Sequence, residues 1–271
     1  MMTQVTHLTA LKRLGRKVLA WFGSWWQIVL FGVLVLTLAL SPSTYSRAGR
    51  SAIAREIVRA TMLNLMWYTV LSALISVVLI RIVVVTALSY GLSRFAIEMV
   101  VRVLVLELIP LTAALFVALR CTLPDSAEIG QMRAQGALDA LRRQGVDPVR
   151  QEFLPRVLAG VFSVWMLGAV SCLLTLVLAY LAIYGFTPWA LESYTRVVGQ
   201  VFNPAVTLIL VLKIFFFSLA VSFIPMASAY YDDVSAVRRH RTDLATGLAG
   251  MVRLFAVVLV IEVASLMGNY Y

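Results

Sequence analysis

Residues 157–186 read VLAGVFSVWMLGAVSCLLTLVLAYLAIYGF, thirty residues without a charged side chain. An α-helix rises about 1.5 Å per residue, so about 20 apolar residues cross the roughly 30 Å hydrocarbon layer of a bilayer. Hydrocarbon offers no partner for backbone N–H and C=O groups, so such a stretch is a helix. Four further apolar stretches are long enough to span: 60–90, 95–119, 204–227 and 248–267. The sequence thus predicts an all-α integral membrane protein with five transmembrane helices.

Composition agrees. The chain has 271 residues, 61% hydrophobic and 13% charged, with a mean hydropathy of +0.91. Soluble domains are about half apolar and a quarter charged. The low charge here cannot clothe a water-soluble surface. The net charge of +10 would suggest nucleic acid in a soluble protein, but these basic residues stand between apolar runs. They read as membrane-flanking cations, with no nucleic acid as partner.

The charges also orient the spans. Arg120, Arg133, Arg142, Arg143, Arg150 and Arg156 lie between the second and third spans, and Arg238, Arg239 and Arg241 between the fourth and fifth. The opposite side holds Arg94 and Arg196. The positive-inside rule puts the rich loops in the cytoplasm of a bacterial inner membrane, with Asn269-Tyr270-Tyr271 outside.

A sixth apolar stretch, 21–40, has positive flanks on both sides: Lys12, Arg13, Arg16 and Lys17 before it, and Arg47, Arg50, Arg55 and Arg59 after it. Both flanks prefer the cytoplasm. The stretch reads as an interfacial or re-entrant helix with Trp21, Trp25 and Trp26 at the headgroup boundary. The alternative is a sixth span with an external N-terminus. Pro42 argues against a signal-peptide cleavage site after Leu40. The chain divides accordingly into a membrane-surface region, 1–59, and a permease-like bundle, 60–271.

The most informative polar segment is 125–156, DSAEIGQMRAQGALDALRRQGVDPVRQEFLPR. Ile129, Met132, Leu138 and Leu141 fall near helical spacing and predict one amphipathic helix over 127–144. Gly145 is a natural stop, Asp147-Pro148 an N-cap with a first-turn proline, and Pro155 a restart at the membrane. Such a helix either transmits force from a soluble partner or rests on headgroups.

Residues 127–161, AEIGQMRAQGALDALRRQGVDPVRQEFLPRVLAGV, closely resemble the signature of the MlaE (YrbE-type) permease family. The matching residues are Ala127, Glu128, Ile129, Gly130, Met132, Asp139, Ala140, Leu141, Gly145, Val146, Asp147, Pro148, Pro155 and Arg156. Glu107 and Pro110 match an E-x-x-P step, Arg120 a family arginine, and Lys213 a lysine found in the fourth span. Leu106 and Ile109 depart from the family's Arg and Gly. The basic run 238–241 replaces a Gly/Ala-rich loop, and Glu262 stands near a common aspartate.

The resemblance implies the membrane permease subunit of an ABC transporter that moves phospholipid or a related lipid between inner and outer membranes. It implies a dimer with a second permease copy or homologue, and ATP-binding cassette ATPase subunits docked on a cytoplasmic coupling helix within the loop 120–156. MCE-domain proteins would sit on the periplasmic side, with a STAS-domain protein as a further partner. Glu128, Arg133, Asp139, Arg142 and Asp147 are the candidates for ATPase coupling.

Charges inside spans cost roughly 2.5–3.5 kcal/mol each on insertion scales. Glu98 and Arg102 stand four apart and pair on one helix face. Arg81 and Arg253 reach headgroups by snorkelling. Glu107, Lys213 and Glu262 lie deeper and are the lipid-cavity candidates. Either Lys213 meets lipid phosphate in a cavity, or it neutralises Glu107 or Glu262 between packed helices.

Cys121 and Cys172 match no metal spacing and are not expected to pair, and His7 and His240 have no companions, so no metal or other cofactor is expected. No G-x-x-x-x-G-K-[ST] loop exists, so ATP hydrolysis belongs to a separate subunit, and no nucleophile motif appears. Two other classes stay open: a non-transporting scaffold that pairs with an active homologue, and an intramembrane lipid-modifying enzyme.

Overall fold

Helix is the one open structure that satisfies its own backbone in hydrocarbon. The computed structural model describes residues 23, 25–45, 47–92, 95–231 and 243–270, which form helices joined by short connections. Helix α1 is Trp25–Leu40, followed by a 3₁₀ turn, Pro42–Tyr45. Then come α2 (Arg47–Ser89), α3 (Ala96–Ala134), α4 (Ala137–Arg143) and α5 (Val149–Tyr184). Helices α6 (Leu191–Val201), α7 (Pro204–Tyr231) and α8 (Asp243–Tyr270) complete the chain. Helices α2, α3, α5, α7 and α8 are long and apolar enough to cross a membrane.

The spanning helices outrun their apolar stretches. Helix α2 has 43 residues, about 65 Å of helix and twice the hydrocarbon thickness. Apolarity marks where lipid ends, not where the helix ends, so Arg50, Arg55 and Arg59 ride on a projecting helical stem. Helix α3 likewise continues past residue 119 to Ala134 and carries the AEIG residues with it.

This corrects the sequence reading of a single helix over 127–144. The chain breaks at Gly136, whose φ of +74° lies in the left-handed region that glycine enters freely. Beyond the break a separate two-turn helix, α4, begins, and Gly145 at φ +77° closes it. The expected cap after it is present: Asp147 Oδ1 accepts the Val149 N–H at 3.0 Å.

Helix α1 has 16 residues, about 24 Å, and falls short of a full crossing. Phe31 and Val35 bury one face against Ile129, Phe153 and Met226. The Phe31 ring meets those of Phe153 and Tyr230 at centroid distances of 5.8 and 5.5 Å. All these partners lie at the α4 end of the bundle, so α1 lies there too. Its other face exposes Trp26, Val29, Val33 and Leu36. The turn at its end is fixed by the Thr44 hydroxyl, which donates to the Leu38 carbonyl at 2.7 Å. Trp21 and the basic residues Lys12 to Lys17 lie outside the described residues, as do Arg94 and the run Arg238–Arg241.

Helices α2 and α5 form the most extensive contact in the bundle. Small polar side chains hold it: Thr61 bonds Ser163 at 2.9 Å and Ser76 bonds Thr175 at 2.8 Å. Tyr68 donates to the Ile109 carbonyl at 3.2 Å, which ties in α3. Between apolar helices in lipid, close packing and such bonds supply the cohesion that water supplies elsewhere. Gly160 lets α5 approach α7 and α3, since a Cβ there would stand 2.7 Å from Ser222 Oγ and 3.0 Å from Thr122 Cγ2. Outward faces expose Met62, Met66 and Trp67 on α2 and Leu259, Val260 and Val263 on α8.

Helix α6 is not anticipated by the sequence reading. It lies at the opposite end from α4, with Tyr194 and Val201 buried against Ile97 and Val101. The Tyr194 hydroxyl donates to the Leu176 carbonyl at 2.8 Å, and burial pushes the phenol up to about 12.

Replacing the fully buried Phe31 by Ala empties the centre of the α1 contact. Core Phe→Ala changes cost about 3–5 kcal/mol. Thermal unfolding of the detergent-solubilised protein is expected to show a clear drop in midpoint for Phe31→Ala and none for the exposed Val33→Ala.

Candidate functional site

Three spans bring one ionisable side chain each to the same depth. Lys213 on α7 is 1% exposed, Glu107 on α3 is 9% and Glu262 on α8 is 11%. Each lies roughly 12–16 Å from the α6 end of its helix at 1.5 Å per residue. Lys213 Nζ donates to Glu107 Oε2 and to the Leu106 carbonyl, the latter at 3.2 Å. It stands 2.8 Å from Glu262 Oε2 and 5.7 Å from the centre of the Phe217 ring. Asn269 Nδ2 donates to Glu107 Oε1 at 3.0 Å. The three residues singled out as lipid-cavity candidates thus form one triad, with Lys213 between the two carboxyl groups.

Backbone geometry helps to build the triad. Val101–Leu108 is a π-helical segment of eight residues, and Ala118–Thr122 is a second π turn in the same helix. Such segments are rare and cluster at functional places. The first places the Leu106 carbonyl and the Glu107 carboxylate together on the lysine. The ammonium therefore meets a main-chain and a side-chain acceptor from adjacent residues.

Beside the triad, α7 and α8 leave a groove of about 360 Å³. Its walls are almost wholly apolar, including Leu212, Phe216, Val260 and Ile261, with Lys213 and Ser265 as the polar exceptions. It could hold a hydrocarbon chain with one polar contact at depth.

The coupling candidates lie at the α4 end and divide into two groups. Asp139 and Arg142 project from α4, paired with each other at 3.4 Å and exposed to a partner. Glu128, Arg133 and Asp147 are already engaged. Glu128, on the α3 extension, stands 3.4 Å from the buried Arg156, which also pairs with Glu152 at 2.6 Å. Arg133 donates to the carbonyls of Ala229 and Tyr230 at 3.0 and 2.7 Å and so caps the end of α7. Asp147 caps the start of α5. A cavity of about 160 Å³ lies among Arg133, Asp139, Arg142, Phe153 and Tyr230.

Sequence reasoning passed over Glu56 and took Arg59 only as a flanking cation, and it gave Asp125 and Glu152 no role of their own. Arg59 bridges Glu56 at 2.6 Å and Asp125 at 2.7 Å, which staples α2 to α3. Asp125 and Glu152 were visible only as loop polarity. The i, i+3 spacing of Glu56 and Arg59 on a helical stem is the signal that could have found one half of this bridge. The Glu98–Arg102 pair forms as expected, at 3.0 Å.

Five long apolar helices with a buried ion triad between three of them define a multi-pass membrane protein. The family model described as Permease MlaE matches residues 53–267, and the chain belongs to that family. It is also similar to a probable ABC transporter permease protein of Rickettsia prowazekii (strain Madrid E), at 29% identity over 151 residues, 54% of this chain. A similarly named protein of Rickettsia conorii (strain ATCC VR-613 / Malish 7) matches at 28% over 151 residues, again 54% of this chain. The match spans less than two thirds of these relatives' own length, 58% in each.

Removing one partner of a buried ion pair costs about 3–5 kcal/mol, whereas replacing the whole group by neutral side chains can be nearly neutral. Lys213→Met is expected to lower the unfolding midpoint in detergent strongly. The triple variant E107Q/K213M/E262Q is expected to recover most of the loss.

Proposed function

We propose that the chain is the membrane permease subunit of an ABC transporter that moves phospholipid or a related lipid between the inner and outer membranes. The observation that carries the reading is the apolar groove between α7 and α8 with a polar triad at its wall, in a member of this permease family. A lipid chain matches the groove, and the triad marks the depth of its polar contact. The sequence holds no phosphate-binding loop, so ATP hydrolysis falls to a separate ATP-binding cassette subunit, as the relatives' names suggest. Helix α4, with Asp139 and Arg142 exposed, is the ledge on which that subunit docks. Glu128, Arg133 and Asp147 serve coupling indirectly by tying the ledge to α5 and α7.

The positive-inside rule makes the α4 end cytoplasmic and the α6 end periplasmic. On the periplasmic side the partner is an MCE-domain protein, with a STAS-domain protein on the ATPase and a second permease copy or homologue completing the assembly. One observation favours a second reading. Lys213 is already neutralised, so the triad serves equally well to pack three spans of a non-transporting scaffold.

Mild-detergent purification of the tagged chain from native membranes, with mass spectrometry of what accompanies it, tests the assembly. The transporter reading expects an ATPase, an MCE-domain protein and phospholipid in stoichiometric amounts. A chain recovered alone sinks it. The exchange D139R/R142D keeps their mutual pairing but reverses the pattern offered to a partner. It is expected to reduce co-purifying ATPase about tenfold, near 1.4 kcal/mol. In the fraction of reconstituted complex that assembles with all its subunits, Lys213→Ala is expected to slow lipid transport at least severalfold. An unchanged rate would move the scaffold reading ahead.

A further inference from the structure

The triad does not balance. Two carboxylates, Glu107 and Glu262, face one ammonium, Lys213. The groups packed around it do not supply the missing charge. From α5 comes Cys172, a free thiol that donates to the Val105 carbonyl at 3.6 Å. The next charges on α3, Glu98 and Arg102, pair with each other. Lys213 is the one charged residue of α7, and the nearest other charge on α8 is Arg253, nine residues away. Asn269 and Ser265 of α8 are neutral. With both carboxylates ionised, a net negative charge would sit among apolar side chains at membrane depth, which hydrocarbon disfavours.

We propose that the triad binds one exchangeable proton and that Glu262 carries it. The two carboxylates differ in their partners. Glu107 accepts Lys213 on one oxygen and Asn269 on the other, so its ionised form is satisfied at both. Glu262 has only the shared lysine, at ion-pair distance, and no hydrogen bond reaches that oxygen. A proton placed there makes the group neutral and leaves the Glu107–Lys213 pair balanced.

Access runs along α8. Ser265 lies one turn beyond Glu262, and Asn269 lies a further turn on, toward the α6 end. Among the described residues, the Ser265 hydroxyl and the Asn269 side-chain amide oxygen are buried without a partner. Ser265 also lines the groove beside Lys213. A hydroxyl both donates and accepts, so Ser265 offers a relay position between Glu262 and water at the α6 end. The proton comes from that water and returns to it, and no electrons move. Helix α8 packs chiefly against α7. Ionisation of Glu262 therefore changes the charge at the helix pair that forms the groove, where it faces Lys213. This inference does not depend on what the groove holds.

The test is infrared spectroscopy of the full chain in phospholipid nanodiscs, where a neutral carboxylic acid shows a C=O stretch apart from the carboxylate bands. The wild-type protein is expected to show this band at neutral pH, shifted in D₂O and lost as pH rises. E262Q is expected to lack it, and E262D to move it. K213Q leaves two carboxylates without a cation and is expected to double it. E192Q is expected to leave it unchanged, because Glu192 is exposed on α6 and pairs with Arg196. The proposal is overturned if the wild-type protein shows no neutral-acid band at neutral pH, or if the band survives intact in both Glu262 variants. It is also overturned if the band appears only after sodium is removed, since a metal cation then fills the place of the proton.

Discussion

A lysine held between two carboxylates at membrane depth ties together helices that otherwise meet mainly through apolar contact. Lys213, Glu107 and Glu262 come from α7, α3 and α8, and none can turn to lipid without an unpaired charge in hydrocarbon. The triad fixes the rotation of three helices about their own axes. Two of those helices, α7 and α3, also present Ser222 and Thr122 to Gly160 of α5. The same logic recurs at the other end, where Arg156, buried between Glu128 and Glu152, sets how α3 and α5 enter the membrane. The bundle is pinned by ions at two levels, with apolar and hydroxyl packing between.

The five spans were legible in the sequence because their cause is local. Thirty uncharged residues at 157–186 have one solution in lipid, whatever surrounds them. Gly145 and Asp147-Pro148 were legible for the same reason, since each acts through its own backbone. The break at Gly136 was not. Apolar residues at Ile129, Met132, Leu138 and Leu141 keep an approximate helical rhythm across it, and a left-handed glycine leaves no mark in a pattern of side chains. Helix α6 escaped notice because its apolar residues are few and answer to α3 rather than to lipid.

The site was half legible. Cost alone singled out Glu107, Lys213 and Glu262 as residues in need of partners, but not that they partner one another, because helix rotation is a property of the bundle. The Arg59–Asp125 bridge joins residues 66 apart in sequence and could not be read from spacing. For the coupling residues, type and place were readable from the chain alone. Only the fold separates Asp139 and Arg142, which face outward, from Arg133 and Asp147, which the backbone already occupies.

The π segments of α3 carry a consequence for phase. A straight α-helix advances about 100° per residue, and each residue accommodated by a wider turn sets the following face back by about that angle. Helix α3 has two such interruptions, Val101–Leu108 and Ala118–Thr122. A helical wheel drawn from Ala96 onward would thus assign the wrong side to residues beyond the first segment and slip again beyond the second. Crosslinking or cysteine-scanning periodicities measured along this helix will come in three blocks with offset origins, and the triad's Glu107 lies inside the first interruption itself.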